Sequence, residues 1–265
     1  MTSAFASSAA PDFDLIRTVE IAQENNFKSI QLYINEKYID VEYLNDLIIA
    51  INKSDLESVV IHLPNLNDLT PGIINAVENI VNLKSPHLKV VGLIHYEDEI
   101  PIKTIHVPEG VNGVAVKPLF MNDIPKIPGL IIGVENSKTK VFDPKHVMRA
   151  FHMATLHHIP FVFDIGRIMY PRKKGGEIEQ ETINEIYDFI TILISQLDPS
   201  QDIIHLSGKT QFGDFRSFSC ALGAEDDITI PLIPVIKEFS DRGGIVVFEH
   251  EDLIQALESK KALEG

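Results

Sequence analysis

Apolar positions along the chain fall into two alternating kinds of segment. The first kind is a short, nearly continuous apolar run. Seven stand out: Ser29–Ile34, Ser58–Leu63, Leu88–His95, Leu130–Glu135, Pro160–Asp164, Asp202–Leu206 and Gly244–Glu249. Each is rich in Val, Ile or Phe and has the length of a strand buried on both faces, as in a parallel sheet. Thr2–Ser7 is a weaker eighth. The second kind is amphipathic at helical spacing. Leu15, Val19 and Ala22 share one face, as do Val147, Phe151 and Ala154, and Ile183, Ile186, Ile190 and Ile194 mark the longest helix, over about 179–197. Thr70-Pro71 and Asp143-Pro144 each read as an N-cap followed by proline in the first turn. No helix is predicted in the irregular stretch Glu97–Pro128.

Strands alternating with helices predict a parallel sheet, and eight of them predict closure into a (β/α)8 TIM barrel. No linker-like or low-complexity block interrupts the 265 residues, so 1–265 is expected to form a single domain.

Composition narrows the chemistry. The net charge of −15 weighs against broad non-specific binding of polyanions. Cys220 is the only cysteine, so neither an internal disulfide nor a cysteine-rich zinc site is expected, and a reducing, cytoplasmic setting fits. No apolar run is long enough to span a bilayer, and the N-terminus lacks the basic and apolar regions of a secretion signal. Neither glycine-rich nucleotide-binding spacing occurs.

The chemistry collects at the ends of the apolar runs. His62, His95, Glu135, Asp164, His205 and Glu249 each close one run or lie just beside its end. A lone histidine or aspartate at such a place is usually a loop-start residue with local hydrogen bonds. Six at corresponding strand ends would converge on the C-terminal mouth of a barrel. Three imidazoles and three carboxylates suit a divalent ion, zinc first and manganese second. The remaining histidines have simpler accounts: His157 and His158 lie near a helix C-terminus, His146 and His152 on the same helix, and His87, His106 and His250 in loops.

At these residues the chain resembles the xylose isomerase-like barrel superfamily, and within it the endonuclease IV (apurinic/apyrimidinic endonuclease) family. The similarity lies in SIQLYIN, IHLPNLNDL, GVENS, FDIGR, VVFEH and, most specifically, HLSGKTQFGDFRSFSCALGAEDDI, where Lys209, Gly213 and Leu222-Gly223 take the family's places. The resemblance implies a two-metal centre. His62, His95 and Glu135 would hold one ion. Glu135 as bridge, with Asp164, His205 and Glu249, would hold the other. The family's third metal has no counterpart, since its ligand positions read Arg167, Ser217 and Ser219.

Arg167 then has two readings. It replaces the third metal as a phosphate binder, with Ser217 and Ser219 as helpers, or it is a structural partner of a mouth carboxylate such as Glu135. Arg167, Arg172, Lys173 and Lys174 form a cationic stretch, and Lys209 and Arg216 are further candidate substrate contacts. The family's DNA-holding arginine would be replaced by Lys37 or Tyr38, and its tyrosine by Asn65, which weighs against abasic-site DNA.

Three functions follow as expectations. The first is a metal-dependent hydrolase of phosphodiesters, with DNA one candidate partner and a phosphate-containing substrate required. The second is a sugar or sugar-phosphate isomerase or epimerase with one metal, in which Glu135 and Glu249 move the substrate proton as the catalytic pair. The third is a non-catalytic relative that keeps the barrel. The sequence leaves the oligomeric state open.

Overall fold

The computed structural model describes residues 2–95, 97–101, 114–118, 124–136, 143–169, 180–209, 219–225 and 227–265. Eight parallel strands close a barrel: β1 (Thr2–Ala6), β2 (Ser29–Tyr33), β3 (Ser58–His62), β4 (Lys89–His95), β5 (Ile131–Glu135), β6 (Phe161–Asp164), β7 (Ile203–Leu206) and β8 (Ile245–Phe248). Every predicted apolar run is a strand, the weak first one included. β8 returns to β1 through the register Thr2 opposite Ile245 to Phe5 opposite Phe248.

Helices follow the strands on the outside. They are α1 (Leu15–Glu24), α2 (Val41–Lys53), α3 (Pro71–Leu83), α4 (Pro144–His157), α5 (Gln180–Gln196), α6 (Ile233–Asp241) and α7 (Leu253–Glu264). The expected caps form. Thr70 accepts from the Ile73 N–H, and Asp143 accepts from the N–H groups of Lys145 and His146. Between β4 and β5 the described residues hold an antiparallel pair, Glu97–Pro101 with Val114–Pro118, in place of a helix.

Two apolar layers result. Outward-facing residues such as Leu32, Ile61, Ile94 and Phe163 pack under the helices. Inward-facing Ala4, Ala6, Val60, Val91, Leu93, Val162, Ile203, Ile245 and Val247 form a separate cluster that fills the barrel. Burial of both faces is why the strands read as continuous apolar runs. The interior set fixes which side chains reach the mouth, because side chains on a strand alternate sides.

Candidate metal centre

Counting two residues onward from the interior cluster leads to the site. Val60 is followed by His62, Leu93 by His95, Val162 by Asp164, Ile203 by His205, and Val247 by Glu249. On β5 the same parity runs from Gly133 to Glu135. A Cβ at Gly133 would stand 2.6 Å from the Pro160 carbonyl oxygen, so only glycine lets β6 come close enough to pair Glu135 with Val162. Register completes the convergence: His95 lies opposite Glu135, and Asp164 opposite His205.

Glu135 is the centre of the arrangement and is fully buried. Its Oε2 lies 3.4 Å from His62 Nε2 and 3.2 Å from His95 Nε2. Its Oε1 accepts from Arg167 Nε at 2.9 Å and lies 3.4 Å from His205 Nδ1. Glu249 Oε1 stands 3.2 Å from the same His205 nitrogen and accepts from Gln31 Nε2 at 2.6 Å. Two groups of ligand atoms, each within 4.8 Å of one another, therefore share Glu135. One is His62, His95 and Glu135, and the other is Glu135, Asp164, His205 and Glu249. All six expected ligands are brought together.

The donor set fits a cation. Glu135 Oε2 and both ring nitrogens of His205 are shut off from water and make no well-aligned hydrogen bond among the described residues. Buried polar atoms are normally satisfied, so an ion among them would complete the site. Second partners also aim the other imidazoles. His62 Nδ1 faces the Leu63 carbonyl at 2.9 Å, and His95 Nδ1 faces Asn65 Oδ1 at 3.3 Å. Each Nδ1 is thereby assigned the proton, which leaves the Nε2 lone pair toward Glu135.

The electrostatics are those of crowded opposite charges. Burial opposes ionisation of Glu135, but Arg167, His95 and His205 outweigh it and hold the carboxyl well below its ordinary range. Burial likewise opposes charge on His205, yet Glu249 and Glu135 lift it to about 10. Glu249 is held at about 2, its desolvation overcome chiefly by His205. Asp164 goes the other way. Burial, aided by Glu135 and Glu249, pushes it up to about 6 despite Arg167. Burial lowers His95, with Glu135 pulling the other way.

Of the two readings of Arg167, the ion pair with Glu135 is the one the structure contains, and it extends further. Nε also donates to Asp164 Oδ2 at 2.6 Å, and Nη2 donates to His95 Nε2 at 3.0 Å. Lys209 was expected as a loop cation in contact with substrate. It is instead buried, in a two-residue strand, Gly208–Lys209, paired with Ser219–Cys220. Its Nζ stands 3.2 Å from where a Cβ on Gly166 would be, and Asp164 Oδ1 stands 3.1 Å from that point. The missing side chain of Gly166 makes room for both. Tyr38 is buried and donates to the Phe13 carbonyl, and Lys37 donates to that of Asp12. Both therefore serve the β1–α1 loop. Asn65 serves His95. Arg216, Ser217, Arg172, Lys173, Lys174 and the side chain of Ser219 lie outside the described residues.

Two further residues of the site escaped the sequence reading. Gln31 was hidden inside the apolar run of β2, and its inward parity is the signal that would have exposed it. Asn136 follows Glu135 directly and is fully buried. His250 lies in the β8–α7 loop, as expected, and is buried there against Ser259 of α7, with Nε2 2.8 Å from the hydroxyl.

No family model and no curated protein matches the chain. Solved structures do match in fold, at low identity. The xylose isomerase domain protein from Alicyclobacillus acidocaldarius aligns with a TM-score of 0.56 and 11% identity over 100% of both chains. Endonuclease IV from Thermus thermophilus aligns with a TM-score of 0.54 and 12% identity over 100% of this chain and 98% of that one. D-psicose 3-epimerase from Clostridium cellulolyticum aligns with a TM-score of 0.56 and 10% identity over 100% and 97%. The fold is thus the TIM barrel that these solved structures, a xylose isomerase domain protein, an endonuclease IV and an epimerase, have in common with this chain.

Proposed function

We propose that this barrel is a divalent-metal-dependent enzyme that hydrolyses phosphodiesters. One observation carries the reading: two groups of metal-competent side chains share the single buried carboxylate of Glu135. A pair of ions held by these residues would polarise a phosphoryl oxygen, activate the attacking water and stabilise the leaving oxygen of an in-line displacement. His62, His95 and Glu135 would hold one, and Glu135, Asp164, His205 and Glu249 the other.

The chain's own groups divide the remaining work. Glu135 is enclosed by His62, His95, Arg167 and His205, which suits a ligand and leaves it no access to substrate. Proton transfer falls to Glu249, the carboxylate of the set whose side chain is 27% exposed. Gln31 and His205 fix its orientation. Arg167, partly exposed, offers a planar fork to a phosphate. Lys37, Tyr38 and Asn65 are committed to contacts within the chain, which favours a small phosphodiester over a distorted duplex.

The test is turnover after loading with zinc or manganese. A small aryl phosphodiester should be cleaved, Glu135→Gln and Glu249→Gln should each abolish cleavage, and an abasic duplex should be cut poorly. No turnover of either phosphodiester refutes the reading.

A second reading, a one-metal sugar isomerase or epimerase, is favoured by a separate observation. Glu135, Asp164, His205 and Glu249 form a complete ligand set without His62 and His95. The fold match to an epimerase is compatible with it. Interconversion of ketose epimers, with the phosphodiesters untouched, would decide for it.

A further inference from the structure

Arg167 sits among the ligands. Its guanidinium reaches atoms of three of the six: His95 Nε2 at 3.0 Å, Glu135 Oε1 at 2.9 Å and Asp164 Oδ2 at 2.6 Å. The consequences for the two metal groups differ. Glu135 keeps Oε2, which has no well-aligned hydrogen bond among the described residues, and Asp164 Oδ1 accepts from the Arg167 backbone N–H at 3.2 Å, which leaves that oxygen a second lone pair. Each carboxylate can therefore still ligate. His95 has no such reserve. Its Nδ1 faces Asn65, so Nε2 is its one nitrogen for a metal, and that nitrogen accepts from Arg167. On the other side, neither ring nitrogen of His205 makes a well-aligned hydrogen bond among the described residues. The guanidinium thus blocks the His62–His95–Glu135 group more completely than the four-residue group.

A guanidinium is a cation that cannot be deprotonated, and it binds phosphate oxygens in pairs. An anion at the mouth would compete with Asp164 and Glu135 for the same N–H groups. Moving Arg167 onto that anion would return the His95 lone pair. We propose that Arg167 is a resident cation that holds the His62–His95–Glu135 group closed to a metal ion until a phosphate draws the guanidinium away. This rests on the metal-centre reading above and adds order to it: one ion is resident, and the second arrives with the anion. By linkage, anion and second ion strengthen one another's binding, by roughly 5- to 150-fold for couplings of ordinary size.

The experiment is manganese stoichiometry by equilibrium dialysis, with and without inorganic phosphate, on the wild type and on Arg167→Met. The wild type should bind one ion without phosphate and two with it. Arg167→Met should bind two without phosphate. The phosphate comparison needs no variant, so the test survives a variant that does not fold. Two ions on the wild type without phosphate would overturn the proposal. So would one ion on the wild type both with and without phosphate. No ion on either protein would be a different result, removing the metal-centre reading itself.

Discussion

Asn136 and Asp164 grip each other across neighbouring strands. Asn136 Nδ2 donates to the Asp164 carbonyl at 3.0 Å, and the Asp164 N–H donates to Asn136 Oδ1 at 2.7 Å. Both residues are buried. The pair locks the backbone just where β5 and β6 deliver Glu135 and Asp164. Asn136→Ala would leave a buried N–H and a buried carbonyl without partners, at about 1–3 kcal/mol each. Thermal and denaturant unfolding should register that loss, and metal affinity should fall with it as Asp164 loses its fixed position. Unchanged stability would contradict this account of the pair.

Gln31 makes a narrower prediction. Its contact with Glu249 stands outside the ligand set, so Gln31→Leu should leave the barrel folded and weaken metal binding. Loss of such supporting hydrogen bonds typically costs about 10- to 100-fold in affinity. Calorimetric titration with zinc checks it, and an unaltered affinity would show that Glu249 is positioned by His205 alone.

Much of this was legible in the chain. Strands buried on both faces announce themselves as apolar runs, and the six candidate ligands were visible because each interrupts such a run at its end. What was not legible depended on reach and parity. Gln31 sits among apolar neighbours, so only knowledge of which residues face inward marks it as part of the site. Lys209 read as a loop cation in contact with substrate, because nothing in its neighbourhood announces a strand pairing or the space left by Gly166. Arg167 left two readings open, since its position in sequence does not say whether a long side chain turns out to substrate or back onto Glu135. The stretch after β4 carries no apolar stripe, and its hairpin accordingly gave no helical signal.

A pH prediction can be made away from the ligands. Asp202 accepts from the N–H of Phe161 and from that of Asp198, each at 2.8 Å, yet burial still raises its pKa above the ordinary value of 3.8. The folded chain then holds this proton more tightly than the unfolded chain. The contribution is fully present below the unfolded pKa and is lost as pH rises through the folded one. Asp202→Asn removes the titration. The stability of the wild type relative to this variant should fall as pH rises from below 3.8 and level off above the folded pKa. A difference that grows with pH would reverse the sign of the argument.

The central claim is that Glu135 is a carboxylate shared by two metal groups. Anomalous diffraction at the zinc absorption edge, on crystals grown with zinc and phosphate, tests it most directly. The account predicts two peaks flanking Glu135, each about 2.0–2.2 Å from a carboxylate oxygen, one beside His62 and His95 and the other beside Asp164, His205 and Glu249. Zinc bound elsewhere, or no peak in contact with Glu135, would contradict it.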